Sequence, residues 1–189
     1  LAETLDATAL AGDKPWVRRI AALTEAAALN PEPPPALQVQ LRAYQLEGYA
    51  WMARLAHAGL GAVLADDMGL GKTVQTLALL LARAAEGPAL VVAPTSVCGN
   101  WVAETERFAP GLRVLAYGEY SGEGERATLL QQAGPFDLVV ASYALVQGDA
   151  EAFAAQRWHT LVLDEAQALK NAATKRAQAV ATLQAGFRL

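Results

Sequence analysis

Gly69, Gly71, Lys72 and Thr73 stand between a short apolar run and a stretch of helical periodicity, an arrangement suited to holding phosphate. Residues 62–65 read as a buried strand. They lead into Asp66-Asp67-Met68-Gly69-Leu70-Gly71-Lys72-Thr73, and residues 72–85 continue as a helix. Glycines let successive backbone N–H groups turn inward as an anion nest, and a helix start adds free N–H groups and its dipole. Lys72 is then placed to reach the β- and γ-phosphates of a nucleotide, and the Thr73 hydroxyl to ligate Mg2+. The strict pattern G-x-x-x-x-G-K-[ST] asks for glycine where Asp66 stands. The strand–loop–helix setting and the intact Gly71-Lys72-Thr73 outweigh that mismatch, and disfavour a chance glycine turn.

A second chemical group lies far downstream. Residues 160–163 form an apolar strand ending in Asp164-Glu165-Ala166-Gln167. An aspartate at the end of such a strand can hold magnesium, and the adjacent glutamate can orient and polarise an attacking water. Alone, Asp-Glu after a strand is ordinary helix-start chemistry. Paired with a phosphate loop it completes an ATP and Mg2+ site, because ligands of parallel α/β sheets bind at the carboxyl ends of the strands.

The elements that must position these groups follow from periodicity. Residues 62–65, 89–93, 113–117, 137–142 and 160–163 are short apolar strands, alternating with helices at 72–85, 98–108, 123–132 and 174–183. Strands apolar on both faces and separated by helices predict an α/β fold, a parallel sheet with helices on both faces. Ahead of it, residues 16–29 and 41–58 read as amphipathic helices, separated by Asn30-Pro31 and Pro33-Pro34-Pro35. Ala185-Gly186 reads as a helix end, and Phe187-Arg188-Leu189 as the opening of a further strand. On this reading the chain is cut at both ends. Residues 1–35 are a helical extension and Pro-rich linker closing a preceding domain, and 36–189 are a nucleotide-binding lobe.

Composition narrows the class. The chain has 189 residues, is 53% hydrophobic, has a formal net charge of −4 and contains one cysteine, Cys98. No apolar run approaches the roughly 20 residues of a membrane-spanning helix, and a lone cysteine suits a reducing compartment. The acidic balance excludes wholesale electrostatic attraction to nucleic acid, though not a local basic groove.

In their order along the chain these motifs resemble the SWI/SNF-type DNA translocase ATPases of helicase superfamily 2. The likeness runs from Leu41 to the end. Leu41-Arg42-Ala43-Tyr44-Gln45-Leu46-Glu47-Gly48, with Trp51 following, is similar to the family's adenine-side block, although Ala43 stands where proline is usual. Leu64 to Thr73 is similar to its phosphate-loop block, including the missing first glycine, with Asp67 where glutamate is commoner. Val91 to Val97 with Asn100-Trp101, and Asp137 to Tyr143, resemble two blocks that touch the DNA backbone. Asp164 to Gln167, with Lys170-Asn171 behind, completes the set.

The resemblance implies a RecA-like P-loop lobe, one of two between which ATP is hydrolysed. It implies ATP contacts from Arg42, Gln45, Asp67, Met68, Gly69, Leu70, Gly71, Lys72 and Thr73, with Gln45 reading the base. Metal contacts would come from Thr73 and Asp164, and catalysis from Lys72 and Glu165. DNA contacts would come from Thr95, Ser96, Asn100, Ser142 and Tyr143. It implies double-stranded DNA as the partner, a second lobe in cis carrying an arginine finger, and near inactivity of this lobe alone. The expected location is cytoplasmic, nucleoid-associated in a bacterium and nuclear in a eukaryote. A nucleotide-responsive interaction module and an RNA helicase of the same superfamily are the competing readings. The intact Lys72, Thr73, Asp164 and Glu165 weigh against the first, and the wording of both ATP motifs against the second.

Other reactive side chains read as structural. His57 and His159 have no metal-like neighbours, and Cys98 has no histidine partner. Trp101 and Phe108 fall at core spacing, and Lys170, Lys175 and Arg176 form a weak basic patch, an exposed helix face in preference to a DNA contact.

Overall fold

The structure, a computed structural model, describes residues 14–67 and 69–189. The first thirteen residues of the expected extension, and Met68 of the phosphate loop, lie outside the described residues. Five parallel strands form one sheet in the order β2-β3-β1-β4-β5, with β1 Ala89–Ala93, β2 Arg113–Ala116, β3 Asp137–Ser142, β4 Arg157–Leu163 and β5 Gln184–Arg188. The central strands β1 and β3 are buried at every residue. Their alternating side chains therefore serve two cores. Leu90, Val92, Val139 and Ala141 face a cluster with Tyr117, Phe153, Trp158 and Val180. Val91, Leu138 and Val140 face the opposite one with Leu77, Leu80 and Trp101.

Helices α3 Lys72–Arg83 and α4 Thr95–Phe108 contribute to the second of these cores. Helices α5 Glu123–Gln132, α6 Tyr143–Gly148, α7 Ala150–Ala155 and α8 Lys175–Thr182 contribute to the first. Two earlier helices, α1 Lys14–Ala28 and α2 Ala43–His57, add a third layer. Tyr49 and Met52 of α2 pack on Val74, Ala78 and Leu79 of α3, with Phe187 of β5 beside them. The proline-rich connection is tied down: the Tyr49 hydroxyl donates to the Glu32 carbonyl at 2.9 Å, and the Arg54 Nε to the Leu29 carbonyl at 3.0 Å.

Four expectations need correction. Residues 62–65 do not form a strand. Ala62 N–H donates to the Arg188 carbonyl at 2.9 Å, but Val63 is 80% exposed and no ladder follows. With one such bond, the segment gains none of the cooperative pairing that holds a strand. Helix α4 starts at Thr95, three residues earlier than expected, so Thr95 and Ser96 form its first turn. Helix α8 ends at Thr182 and β5 begins at Gln184, so Ala185-Gly186 is strand and not a helix end. Strand β4 begins at Arg157, because Arg157 and Trp158 pair with Gln184 and Ala185. The short helices α6 and α7 were not anticipated. Ser142 caps α6, its hydroxyl accepting from Leu145 N–H.

Candidate functional site

The phosphate loop takes its shape from two glycines. Gly69 has φ 83° and Gly71 φ 76°, left-handed conformations that other residues adopt at a cost. Gly71 is the N-cap of α3, and among the described residues no side chain caps that end. The first-turn N–H groups are therefore available to an anion, reinforced by the helix dipole. A Cβ at Gly71 would also lie 2.4 Å from Nε2 of Gln45, so a side chain there would displace the Gln45 amide.

Lys72 Nζ donates to the carbonyls of Asp66 at 2.6 Å and Asp67 at 3.0 Å. Among the described residues no carboxylate is paired with it, so its charge remains open to a phosphate. Asp67 and Leu70 are exposed at the loop, and Thr73 is partly exposed in the first turn of α3. Arg42, the N-cap of α2, is exposed as well. Gln45 is buried, and both ends of its amide are engaged. Its oxygen accepts from Arg42 N–H at 2.9 Å, and its nitrogen donates to the Leu70 carbonyl at 3.1 Å. The residue expected to read a base thus also ties α2 to the phosphate loop.

Asp164 emerges from the end of β4 beside β1, its N–H donating to the Val92 carbonyl at 2.9 Å. Two further bonds hold it. Trp101 Nε1 donates to its carboxylate Oδ2 at 2.8 Å, and the Tyr143 hydroxyl donates to its carbonyl at 2.8 Å. The next residue, Glu165, is exposed with φ 52°, a left-handed strain of about 1–3 kcal/mol for a residue with a side chain. Its carboxylate accepts a hydrogen bond from the Gln167 amide. The phosphate loop begins at the same edge of the sheet: Ala62 is bonded to Arg188, the last residue of β5, and β5 pairs with β4.

Two other strand ends open on this edge. Ala93 of β1 is registered against Ser142 of β3, so α4 and α6 start side by side. Thr95, Ser96 and Asn100 are exposed on α4. Ser142 and Tyr143 differ from the expectation that they face outward: they are 5% and 3% exposed, with their hydroxyls on Leu145 N–H and on Asp164. Burial, followed by the negative charge of Asp164, pushes the Tyr143 hydroxyl up to about 12, so it remains a donor at neutral pH. Arg176, expected on an exposed face, is half-buried with its guanidinium 5.9 Å from the centre of the Tyr143 ring.

Trp101, whose spacing reads as core, also holds a residue of the candidate site. It is in the core at 3% exposure, but its indole N–H is spent on Asp164. Nothing in hydrophobic spacing distinguishes that role. Cys98 is half-buried against the core that contains Trp101, and burial raises its thiol above the ordinary range. His57 lies 3.7 Å from a Glu25 carboxylate oxygen, and His159 lies 3.5 Å from one of Glu86. Among the described residues no cluster of His, Cys, Asp and Glu forms a ready metal cage. Magnesium in phosphate sites ordinarily rests on one or two protein oxygens plus the phosphates themselves, and the donor set of Thr73 and Asp164 fits that use. Among the described residues no helix is long and apolar enough to cross a membrane.

The family model described as SNF2-related domain matches residues 44–189. The chain is similar to the Helicase SWR1 of Debaryomyces hansenii, 41% identical over 161 residues, covering 82% of this chain and 10% of that protein. It is similar to the Chromatin-remodeling ATPase INO80 of Homo sapiens, 41% identical over 162 residues, covering 79% of this chain and 10% of that one. Among solved structures it is similar to the Sulfolobus solfataricus SWI2/SNF2 ATPase core in complex with dsDNA. That match has a TM-score of 0.75 and 36% identity, covering 85% of this chain and 33% of the other. The chain thus spans about a tenth of the length of these two relatives.

Proposed function

The chain belongs to the SNF2-related domain family, and on that premise we propose that it is the ATP-binding lobe of an ATP-dependent double-stranded DNA translocase. One observation carries the ATP part of the reading. An uncapped, glycine-shaped helix start presents Lys72, unpaired with any described carboxylate, at the sheet edge where Asp164 and Glu165 emerge. The solved relative bound to double-stranded DNA supports the choice of polymer.

In this mechanism the first-turn N–H groups of α3 bind the terminal phosphates, and Lys72 exchanges its carbonyl partners for phosphate oxygens. Thr73 and Asp164 would hold Mg2+, which when bound would supply positive charge against that developing on the phosphoryl group. Glu165 turns its carboxylate from Gln167 toward the attacking water and orients it. Gln45 keeps the loop in place against α2, with Arg42 on the base side. A second lobe in cis would supply the arginine finger, worth about 10³–10⁵ in rate in related phosphoryl-transfer sites. This lobe alone is therefore expected to turn over almost no ATP. Thr95, Ser96 and Asn100 would meet DNA phosphates, fixing position without reading bases. Work on DNA puts the protein in a nucleus or a nucleoid, according to its source.

ATP turnover by a form carrying both lobes, with and without duplex DNA, tests the proposal. DNA should stimulate turnover, and Glu165→Gln should abolish it while nucleotide binding persists. Stimulation by single-stranded RNA in place of duplex DNA would contradict the choice of partner. Normal turnover by Glu165→Gln would move the catalytic carboxylate elsewhere.

A further inference from the structure

Asp164 is held by two side chains whose elements also face outward. Trp101 belongs to α4, whose exposed residues Thr95, Ser96 and Asn100 line the outer surface, and Asn100 directly precedes it. Tyr143 opens α6, next to the start of α4 through the register of Ala93 with Ser142. Trp101 reaches the carboxylate and Tyr143 the carbonyl, each at 2.8 Å. An indole nitrogen is a donor only, so this bond has a single sense. It occupies Oδ2 of Asp164, and among the described residues no side chain donates to Oδ1. Both donors are buried and Asp164 is partly exposed, so competition from water is reduced on the donor side. Trp101 is wedged among Leu77, Leu80 and Val91, and α4 therefore cannot shift without carrying the indole along.

We infer that Trp101 and Tyr143 are positioning residues for Asp164, and that α4 joins the outer polar face at Thr95, Ser96 and Asn100 to the metal-holding carboxylate. The inference rests on the proposed ATP and magnesium site and adds a route by which a ligand on that outer face reaches it. Neither residue touches nucleotide; each acts through Asp164. Partners that orient a metal ligand typically affect metal affinity by about 10–100-fold.

The test is calorimetry of ADP binding to the chain, in EDTA and across a Mg2+ titration, for wild type, Trp101→Phe and Tyr143→Phe. Tyr143→Phe keeps the ring and removes the donor, and Trp101→Phe keeps an aromatic side chain, smaller than the indole, and removes the N–H. ADP affinity in EDTA should be unchanged, while the Mg2+ concentration giving half the metal-dependent gain should rise about 10-fold in Trp101→Phe. Tyr143→Phe should shift it in the same direction by less. A purely structural role would lower the melting temperature and leave the Mg2+ midpoint in place, which would overturn the inference. A wild-type chain whose ADP binding ignores Mg2+ would overturn the proposed site and this inference together. A wild-type dependence that survives both substitutions would overturn the inference alone. Nitrogen-15 NMR of the tryptophan indoles adds a readout on the unaltered protein. The resonance absent from Trp101→Phe should move on adding Mg·ADP, and one that stays fixed would count equally against the inference.

Discussion

Gln45 Nε2 donates to the Leu70 carbonyl at 3.1 Å, joining helix α2 to the middle of the phosphate loop across 25 residues of chain. The amide oxygen is engaged as well, by Arg42 N–H at 2.9 Å, so a single side chain sets the start of α2 and the loop together. Gly71 faces the same amide, which a side chain there would displace. The base side and the phosphate side of the site are therefore one mechanical unit.

Gln45→Ala should accordingly weaken pyrophosphate and ADP alike, by about 10-fold, the size expected when one or two hydrogen bonds of a buried amide are lost. Calorimetry with both ligands checks this. Pyrophosphate binding that stays at the wild-type level while ADP binding falls would show that Gln45 acts on the base and not on the loop.

Asp137 supplies a pH-dependent part of the stability. Burial alone would raise its carboxyl, but two hydrogen bonds from Arg113, at 2.6 and 2.7 Å, and one from Gly134 N–H, at 2.9 Å, outweigh it. They hold the carboxyl below its ordinary value. Because the folded value is depressed, the contribution is complete above the unfolded value of about 3.9 and disappears as pH falls through the folded one. Asp137→Asn should cost about 2 kcal/mol at pH 7. Urea melts at pH 7 and near pH 3 should show the gap between the two proteins narrowing in acid. A gap of equal size at both pH values would mean that charge plays no part.

How much of this could be read from sequence depended on what each residue faces. Strands β1 and β3 were legible because both of their faces are buried, which requires unbroken apolar runs such as 89–93. The run at 62–65 looks the same in sequence but meets the sheet through one hydrogen bond, and composition cannot report a missing neighbour. Helices α6 and α7 have six residues each, too few for periodicity to show. The lysine, the threonine and the carboxylates could be singled out because the proposed chemistry requires those residue types. The positions of Trp101 and Tyr143 were not: an aromatic ring that packs and one that also donates a hydrogen bond share the same spacing.

The exposed first turns of α4 carry the expectation about DNA. In a form with both lobes, replacing Thr95, Ser96 and Asn100 together by alanine should weaken duplex binding about equally for all sequences, since phosphate contacts carry no base information. ATP binding without DNA should persist, and DNA stimulation of turnover should drop. Ser142→Ala, whose hydroxyl is turned inward onto Leu145 N–H, should leave duplex affinity unchanged. Filter binding on several duplexes would decide it. Wild-type affinity in the triple variant would take this surface out of the DNA path.

The central claim is that Lys72 and the start of α3 form a nucleotide-phosphate site, and calorimetry of Mg·ADP on the chain and on Lys72→Ala tests it most directly. Among the described residues, the Lys72 side chain donates only to the Asp66 and Asp67 carbonyls, so its removal should leave the melting temperature nearly unchanged. The wild-type chain is expected to bind Mg·ADP weakly, and Lys72→Ala to lose about 10-fold or more of that affinity, as befits a charged hydrogen bond to phosphate. Equal binding by the two proteins would contradict the account, because the anion would then be held somewhere other than this loop.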